Sequence, residues 1–143
     1  MDVTAELDAA CSPEALFAWV EDLGRYPAWL DIVPRAVADG EGAWFVYLRG
    51  RLGPLARSKR LRMALVRIDE PRTVRFERRE SDRRRHSPWI LEATVDPVDT
   101  GSRLTMHLHY GGSLFDRVLE RYLTDEIERS RQRLLDCLTS DAA

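Results

Sequence analysis

Residues 3–33 read VTAELDAACSPEALFAWVEDLGRYPAWLDIV. Val3, Ala5 and Leu7 alternate with Thr4, Glu6 and Asp8, the period-2 pattern of a half-buried strand. Ser12-Pro13-Glu14 then opens a helix: a serine hydroxyl can accept from a free amide of the first turn, and proline fits where no N–H is needed. Leu16, Phe17, Trp19, Val20 and Leu23 give this helix an apolar side, and Gly24 is expected to end it. A short second helix is predicted to hold Tyr26, Trp29 and Leu30, with Pro27 in its first turn.

Beyond this stretch the chain reads as strands. Ile32–Ala38 is a strand interrupted by Pro34, which suits an edge or bulge. Gly40-Glu41-Gly42 is a turn, and the aromatic, β-branched run Ala43–Arg49 is the next strand. Gly50–Pro54 reads as a loop, Ser58–Ile68 as a strand, Asp69–Arg72 as a turn and Thr73–Arg79 as a strand. After the charged loop Ser81–Arg85 come Trp89–Val95, closed by Asp96-Pro97, and the last strand, Arg103–Tyr110. Gly111-Gly112-Ser113 opens a long helix, with Ser113 as its N-cap and Asp116 in the first turn. Leu119, Leu123, Ile127, Leu134 and Leu138 fall on one side at helical spacing. One strand, two short helices, six strands and a long amphipathic helix make an α+β arrangement, in which the sheet buries one face against the helix stripe.

The opening stretch resembles the start of the START-like, Bet v 1-like superfamily (SRPBCC), in its bacterial polyketide cyclase/dehydrase and lipid-transport branch. The residues that carry the resemblance are the first strand, the Ser12-Pro13-Glu14 turn, Phe17, Trp19, Asp22-Leu23 and Tyr26-Pro27-Ala28-Trp29-Leu30. The element order matches over nearly the whole chain. The resemblance implies a helix-grip fold: a seven-stranded antiparallel curved sheet wrapped around the C-terminal helix, enclosing a cavity. Residues 1–143 are then expected to form a single START-like ligand-binding domain. Fold alone does not assign the activity, because carriers, cyclases and hydrolases share it.

Composition bounds the rest. The 143 residues, 44% of them hydrophobic, suffice for one packed core. No apolar run approaches the ~18 residues of a membrane span. The opening Met1–Glu6 lacks a basic segment followed by an apolar one, so no signal peptide is expected, and two cysteines without metal-type spacing fit a reduced, cytoplasmic protein. The formal net charge of −2 hides a segregation. Between Arg49 and Arg85 thirteen arginines and Lys59 face five acids, a net +9, while the rest of the chain carries −11. Arg57, Lys59, Arg60, Arg62, Arg67, Arg72, Arg75, Arg78 and Arg79 would form a positive stripe if their outward members align, or Glu77, Glu80 and Glu92 would neutralise it by cross-strand pairing. No nucleic-acid motif or exposed stacking platform accompanies the charge, which argues against a nucleic-acid partner and leaves peripheral contact with an anionic surface open.

Alternation selects the cavity candidates. Leu104, Met106, Leu108 and Tyr110 form one inner row, and Trp89, Leu91, Ala93 and Val95 another. Val74, Phe76 and Arg78 follow, a row that Glu80 can extend, while Leu61, Met63 and Leu65 compete with Ala64, Val66 and Ile68 for the inner face. The faces of Trp44–Leu48 stay unassigned. Arg78 either pairs with an acidic ligand or a cavity carboxylate, or reaches solvent at the strand end. Glu126 and Ser130 fall within the stripe of Leu123 and Ile127, so Glu126 is either a desolvated acid/base or Arg78 partner, or a stripe-edge residue in water. Trp29, Trp89 and Tyr110 can line a pocket for a flat or lipidic ligand or serve as ordinary core. The ligand-site candidates are therefore Trp29, Phe76, Arg78, Trp89, Leu91, Met106, Tyr110, Leu123, Glu126, Ile127 and Ser130. His107 and His109 share a strand face, but it is the face opposite the apolar row, and no third ligand is near in sequence. No metal site, cofactor signature or catalytic constellation is read. The expectation is binding or transport of a hydrophobic small molecule (lipid, isoprenoid or polyketide-like). The alternatives are a cyclase/dehydrase acting on a cavity-bound substrate and an interaction module using the basic sheet face.

Overall fold

In the computed structural model, which describes residues 2–49, 59–111 and 116–142, the alternating opening forms β1 (Asp2–Ala9). Side chains at 116–120, 122 and 142 fall outside that description, as do Gly50–Pro54, Arg57, Ser58, the expected Ser113 cap and the Leu119 side chain. Ser12 caps α1 (Pro13–Phe17), its hydroxyl accepting from the Ala15 N–H at 3.2 Å. The helix stops well before Gly24. The Ala18, Trp19 and Val20 carbonyls are taken instead by side chains: the Arg25 guanidinium at 3.1 Å, the Trp29 indole N–H at 3.1 Å and the Tyr26 hydroxyl at 2.9 Å. Those three donors come from a 3-10 helix (Leu23–Ala28) and its C-cap, so the chain folds back on itself. Gly24 lies inside that second helix, its N–H donating to the Asp22 carboxylate at 2.7 Å.

The strands are β2 (Arg35–Ala38), β3 (Ala43–Leu48), β4 (Lys59–Asp69), β5 (Thr73–Arg78), β6 (Trp89–Val98) and β7 (Gly101–Tyr110). The expected strand from Ile32 shrinks to four residues beyond Pro34, which cannot donate to a ladder, while Ile32 and Val33 are buried in the core. β6 instead runs past its expected end. The β5 ladder stops at Thr94, so the missing N–H of Pro97 costs no bond on that side. A two-residue turn then leads to Gly101, where φ is +145° and a Cβ would stand 2.2 Å from the Ala9 carbonyl oxygen.

The antiparallel sheet is ordered β1-β7-β6-β5-β4-β3-β2, seven strands with β1 and β2 at the edges. Register explains the ambiguity in β4. A bulge between Leu65 and Arg67 switches parity, so Leu65 pairs with Phe76 and Ile68 with Val74, placing both on the inner side. Leu61 and Met63 are buried, whereas Val66 and Ile68 are exposed. In β3, Trp44 turns inward, edge-on to Phe76 at 5.5 Å. Phe45 and Tyr47 lie outside, under Arg60 and Arg35.

α2 (Asp116–Ala142) buries Leu123, Glu126, Ser130, Leu134 and Leu138. An ion pair between Arg133 and Asp31 ties it to the segment after the 3-10 helix. The curved seven-stranded antiparallel sheet, the long C-terminal helix and the short helices after β1 together form the helix-grip arrangement. No helix among the described residues is long and apolar enough to cross a membrane.

Candidate functional site

Cross-strand pairing stacks the inner residues into rungs. Leu7 lies opposite Leu104, Ala5 opposite Met106 and Val3 opposite Leu108, and Leu108 is opposite Leu91. With Leu123, Ile127, Ser130 and Leu134 of α2, and with Trp29, Leu30 and Ile32, these side chains surround a recess of about 90 Å³. Glu6, Leu7 and Arg131 also border a wider groove, open to solvent, along β1 and α2. The recess is thus apolar throughout, with charge only at its rim. The Ser130 hydroxyl donates to the Glu126 carbonyl one turn back, at 2.7 Å, so it offers the recess a small side chain rather than a free donor.

Six of the candidates read from sequence meet here: Trp29, Leu91, Met106, Leu123, Ile127 and Ser130. The other five do not line the recess. Phe76 is fully buried, edge-on to Tyr26 at 6.5 Å as well as to Trp44, and acts as core. Glu126 is buried but its carboxylate accepts from Arg129 at 3.1 Å, so the conjectured Glu126–Arg78 pair is not made. A partner one helical turn away supplies the charge Glu126 needs.

Arg78, Trp89 and Tyr110 occupy the next rung of the inner face. Trp89 is opposite Tyr110, their rings stacked at 5.1 Å with an angle of 23°. Arg78 pairs with Met63 and continues the row of Val74 and Phe76. Its side chain is 9% exposed, so it does not escape to solvent at the strand end. Nη1 donates to the Ser87 carbonyl at 3.2 Å, and Nη2 lies 3.3 Å from His86 Nδ1. Among the described residues the nearest carboxylate, Glu80, stands 3.7 Å from Nε and already accepts from the Arg62 N–H at 2.7 Å. Nε is buried without a hydrogen-bond partner. Lys59 extends its ammonium over the Trp89 ring, 5.7 Å from the centroid. Partial burial, and then the nearby Arg78 charge, hold the Lys59 amine below the ordinary lysine range, with Glu80 pulling the other way.

The outer face differs. Arg75 pairs with Glu77 at 2.9 Å and Glu92 at 3.2 Å, Arg79 with Glu77, Arg72 with Asp96, Arg62 with Asp39 and Arg103 with Asp8. Much of the expected positive stripe is therefore zipped to acids, by Glu77 and Glu92 as anticipated, while Glu80 turns toward Arg78. His107 and His109 also face outward, and both reach one oxygen of Asp2, at 2.8 and 3.0 Å. Those two hydrogen bonds hold the Asp2 carboxyl below its usual range. Cys11 and Cys137 are free thiols.

Sequence reasoning missed the contribution of β1 to the recess. Its alternation is plain, but adjacency to β7 depends on long-range pairing that no local pattern encodes. It also left Lys59 among the general basic residues. One signal was available: Lys59 is the single lysine among 22 basic side chains.

The sequence profile described as polyketide cyclase / dehydrase and lipid transport matches residues 1–136. Among solved structures, the Thermus thermophilus protein TTHA0849 is similar with a TM-score of 0.77 and 15% identity, all of each chain being covered. A START superfamily protein from Mycobacterium smegmatis gives 0.70 and 14%, over 98% of this chain and 97% of that one. The AHSA1 protein of Silicibacter pomeroyi gives 0.68 and 22%, over 99% of each. At these identities the likeness concerns the fold. No curated protein sequence matches the chain.

Proposed function

Because the chain belongs to the polyketide cyclase/dehydrase and lipid transport family, we propose that it binds or carries a hydrophobic small molecule, of lipid, isoprenoid or polyketide-like chemistry, between the sheet and α2. The observation that carries this reading is the recess itself, walled by aliphatic and aromatic side chains of three strands, α2 and the Trp29–Ile32 segment. Burial of apolar ligand surface there supplies the affinity, about 0.8 kcal/mol for each CH₂ withdrawn from water. At about 90 Å³ the recess is smaller than a cavity that admits benzene, about 150 Å³, so a longer ligand enters as α2 and the β1 edge give way. Binding is favoured over turnover because the buried hydroxyl of Ser130 is committed to Glu126, and the Glu126 carboxylate to Arg129.

Native mass spectrometry of the purified protein and a thermal-shift titration with farnesol test the reading. A copurifying hydrophobic mass, or a rise in melting temperature, is the expected result. Ser130→Leu grows into the recess from the helix and should remove both signals while the fold persists. Absence of both signals from the unmodified protein would overturn the proposal.

A further inference from the structure

We propose that Arg78 and Lys59 receive the anionic group of an amphipathic ligand whose apolar body lies in the adjoining recess. This deepens the binding reading above and rests on it. Two rungs of the inner face meet at this point. Leu91 and Leu108 wall the recess, and Trp89 and Tyr110 form the next rung, two residues along each strand. That step is about 6.7 Å, within reach of a short alkyl chain or a single ring. Arg78 extends the second rung across β5, and Lys59 stands over its Trp89 ring.

Among the described residues the charge there is unbalanced. Two cations share one carboxylate, Glu80, which lies beyond hydrogen-bond distance of Arg78 Nε and is engaged by the Arg62 N–H. The other nearby acid, Asp82, is held by His86 at 2.7 Å and by the Arg84 N–H at 3.0 Å. Among the described residues Lys59 has no carboxylate within ion-pair distance. Arg78 is more than nine-tenths buried, yet its Nε–H has no acceptor. A guanidinium carries five N–H donors, and a buried one left short of acceptors is costly, so an incoming carboxylate or similar oxyanion would complete it. The depressed Lys59 amine fits the same picture, since an added anion would relieve its repulsion from Arg78. Below the pair, the stacked Trp89–Tyr110 surface supports the apolar atoms next to the charge.

Paired probes that differ only in charge test this. Hexanoate and hexanamide have nearly the same shape, and both are soluble enough for NMR titration against the full chain. The unmodified protein should bind hexanoate at least about fivefold more tightly than hexanamide, as a charge-assisted contact requires. Arg78→Gln should bring the two affinities within about twofold by weakening hexanoate alone. Lys59→Met, at the exposed start of β4, should reduce the preference by a smaller factor and guards against a folding defect in the Arg78 variant. Arg78→Lys should keep part of the preference. Equal affinities in the unmodified protein, or a preference that survives both Arg78→Gln and Lys59→Met, would overturn this inference and leave the apolar recess standing. Binding of neither probe would count against the recess as a ligand site, and against this inference with it.

Discussion

The two faces of one sheet treat the same residue type in opposite ways. On the outer face Arg75 sits between Glu77 and Glu92, and Arg103 meets Asp8 through two hydrogen bonds. On the inner face Arg78 is more deeply buried than either, yet has weaker acidic company, at 3.7 Å. Water screens the outer pairs and lowers the value of each, so neutralisation there serves solubility and register more than stability. Arg78, with 9% of its side chain exposed, is screened far less. The difference teaches that the arginine-rich middle of the chain divides by face. Arg62, Arg72, Arg75 and Arg79 are paired with acids on the outer side, while Arg78, with Lys59, is held beside an apolar space.

The sharpest way to break the comparison is to attack the inner face where it carries the core. Phe76 is fully buried, between Tyr26 and Trp44, one step along β5 from Arg78's own position on the same face. Phe76→Ala should destabilise the fold by about 3–5 kcal/mol, read as a shift of the urea midpoint with little change in slope. A loss below about 1 kcal/mol would mean that the inner face is not the packed face.

Next in size is the outer network. Glu77 receives both Arg75 and Arg79 while remaining partly exposed. Glu77→Gln should cost no more than about 1 kcal/mol, and raising the salt to about 1 M should erase most of that. A larger, salt-insensitive loss would show that the outer charges are structural and not screened surface pairs. Farnesol and hexanoate binding should be unaffected, because the residue lies on the other side of the sheet from the recess.

How far the sequence foretold this contrast depends on the range of the interaction. The parity of Val74, Phe76 and Arg78 was legible, because strand alternation is local. The parity of β4 was not, since the bulge at Leu65–Arg67 shifts the register and brings Ile68 to the side of Leu61, Met63 and Leu65. Ser12 as a cap was legible for the same local reason, yet the end of α1 was not. It is decided by Arg25, Tyr26 and Trp29 reaching back to three carbonyls. Glu126 illustrates the limit for the site. Its place in the helix stripe was correct, but periodicity cannot say whether a buried carboxylate turns to Arg78 across the fold or to Arg129 on its own helix.

The smallest effect should come from Asp8, and its pH dependence separates the faces most cleanly. Hydrogen bonds from Arg103, reinforced by its charge and opposed by slight desolvation, hold the Asp8 carboxyl below the ordinary carboxylate range. A carboxyl lowered in the folded state binds its proton more readily once unfolded. Its contribution is therefore present above the ordinary range and is lost as pH falls through the depressed value. Asp8→Asn deletes that contribution, so the stability difference between variant and parent should shrink as pH falls from about 6 to about 2. Urea midpoints across that range measure it. A difference that stays constant would show that Asp8 acts through packing rather than charge. Phe76→Ala should give such a constant difference, because nothing it removes titrates.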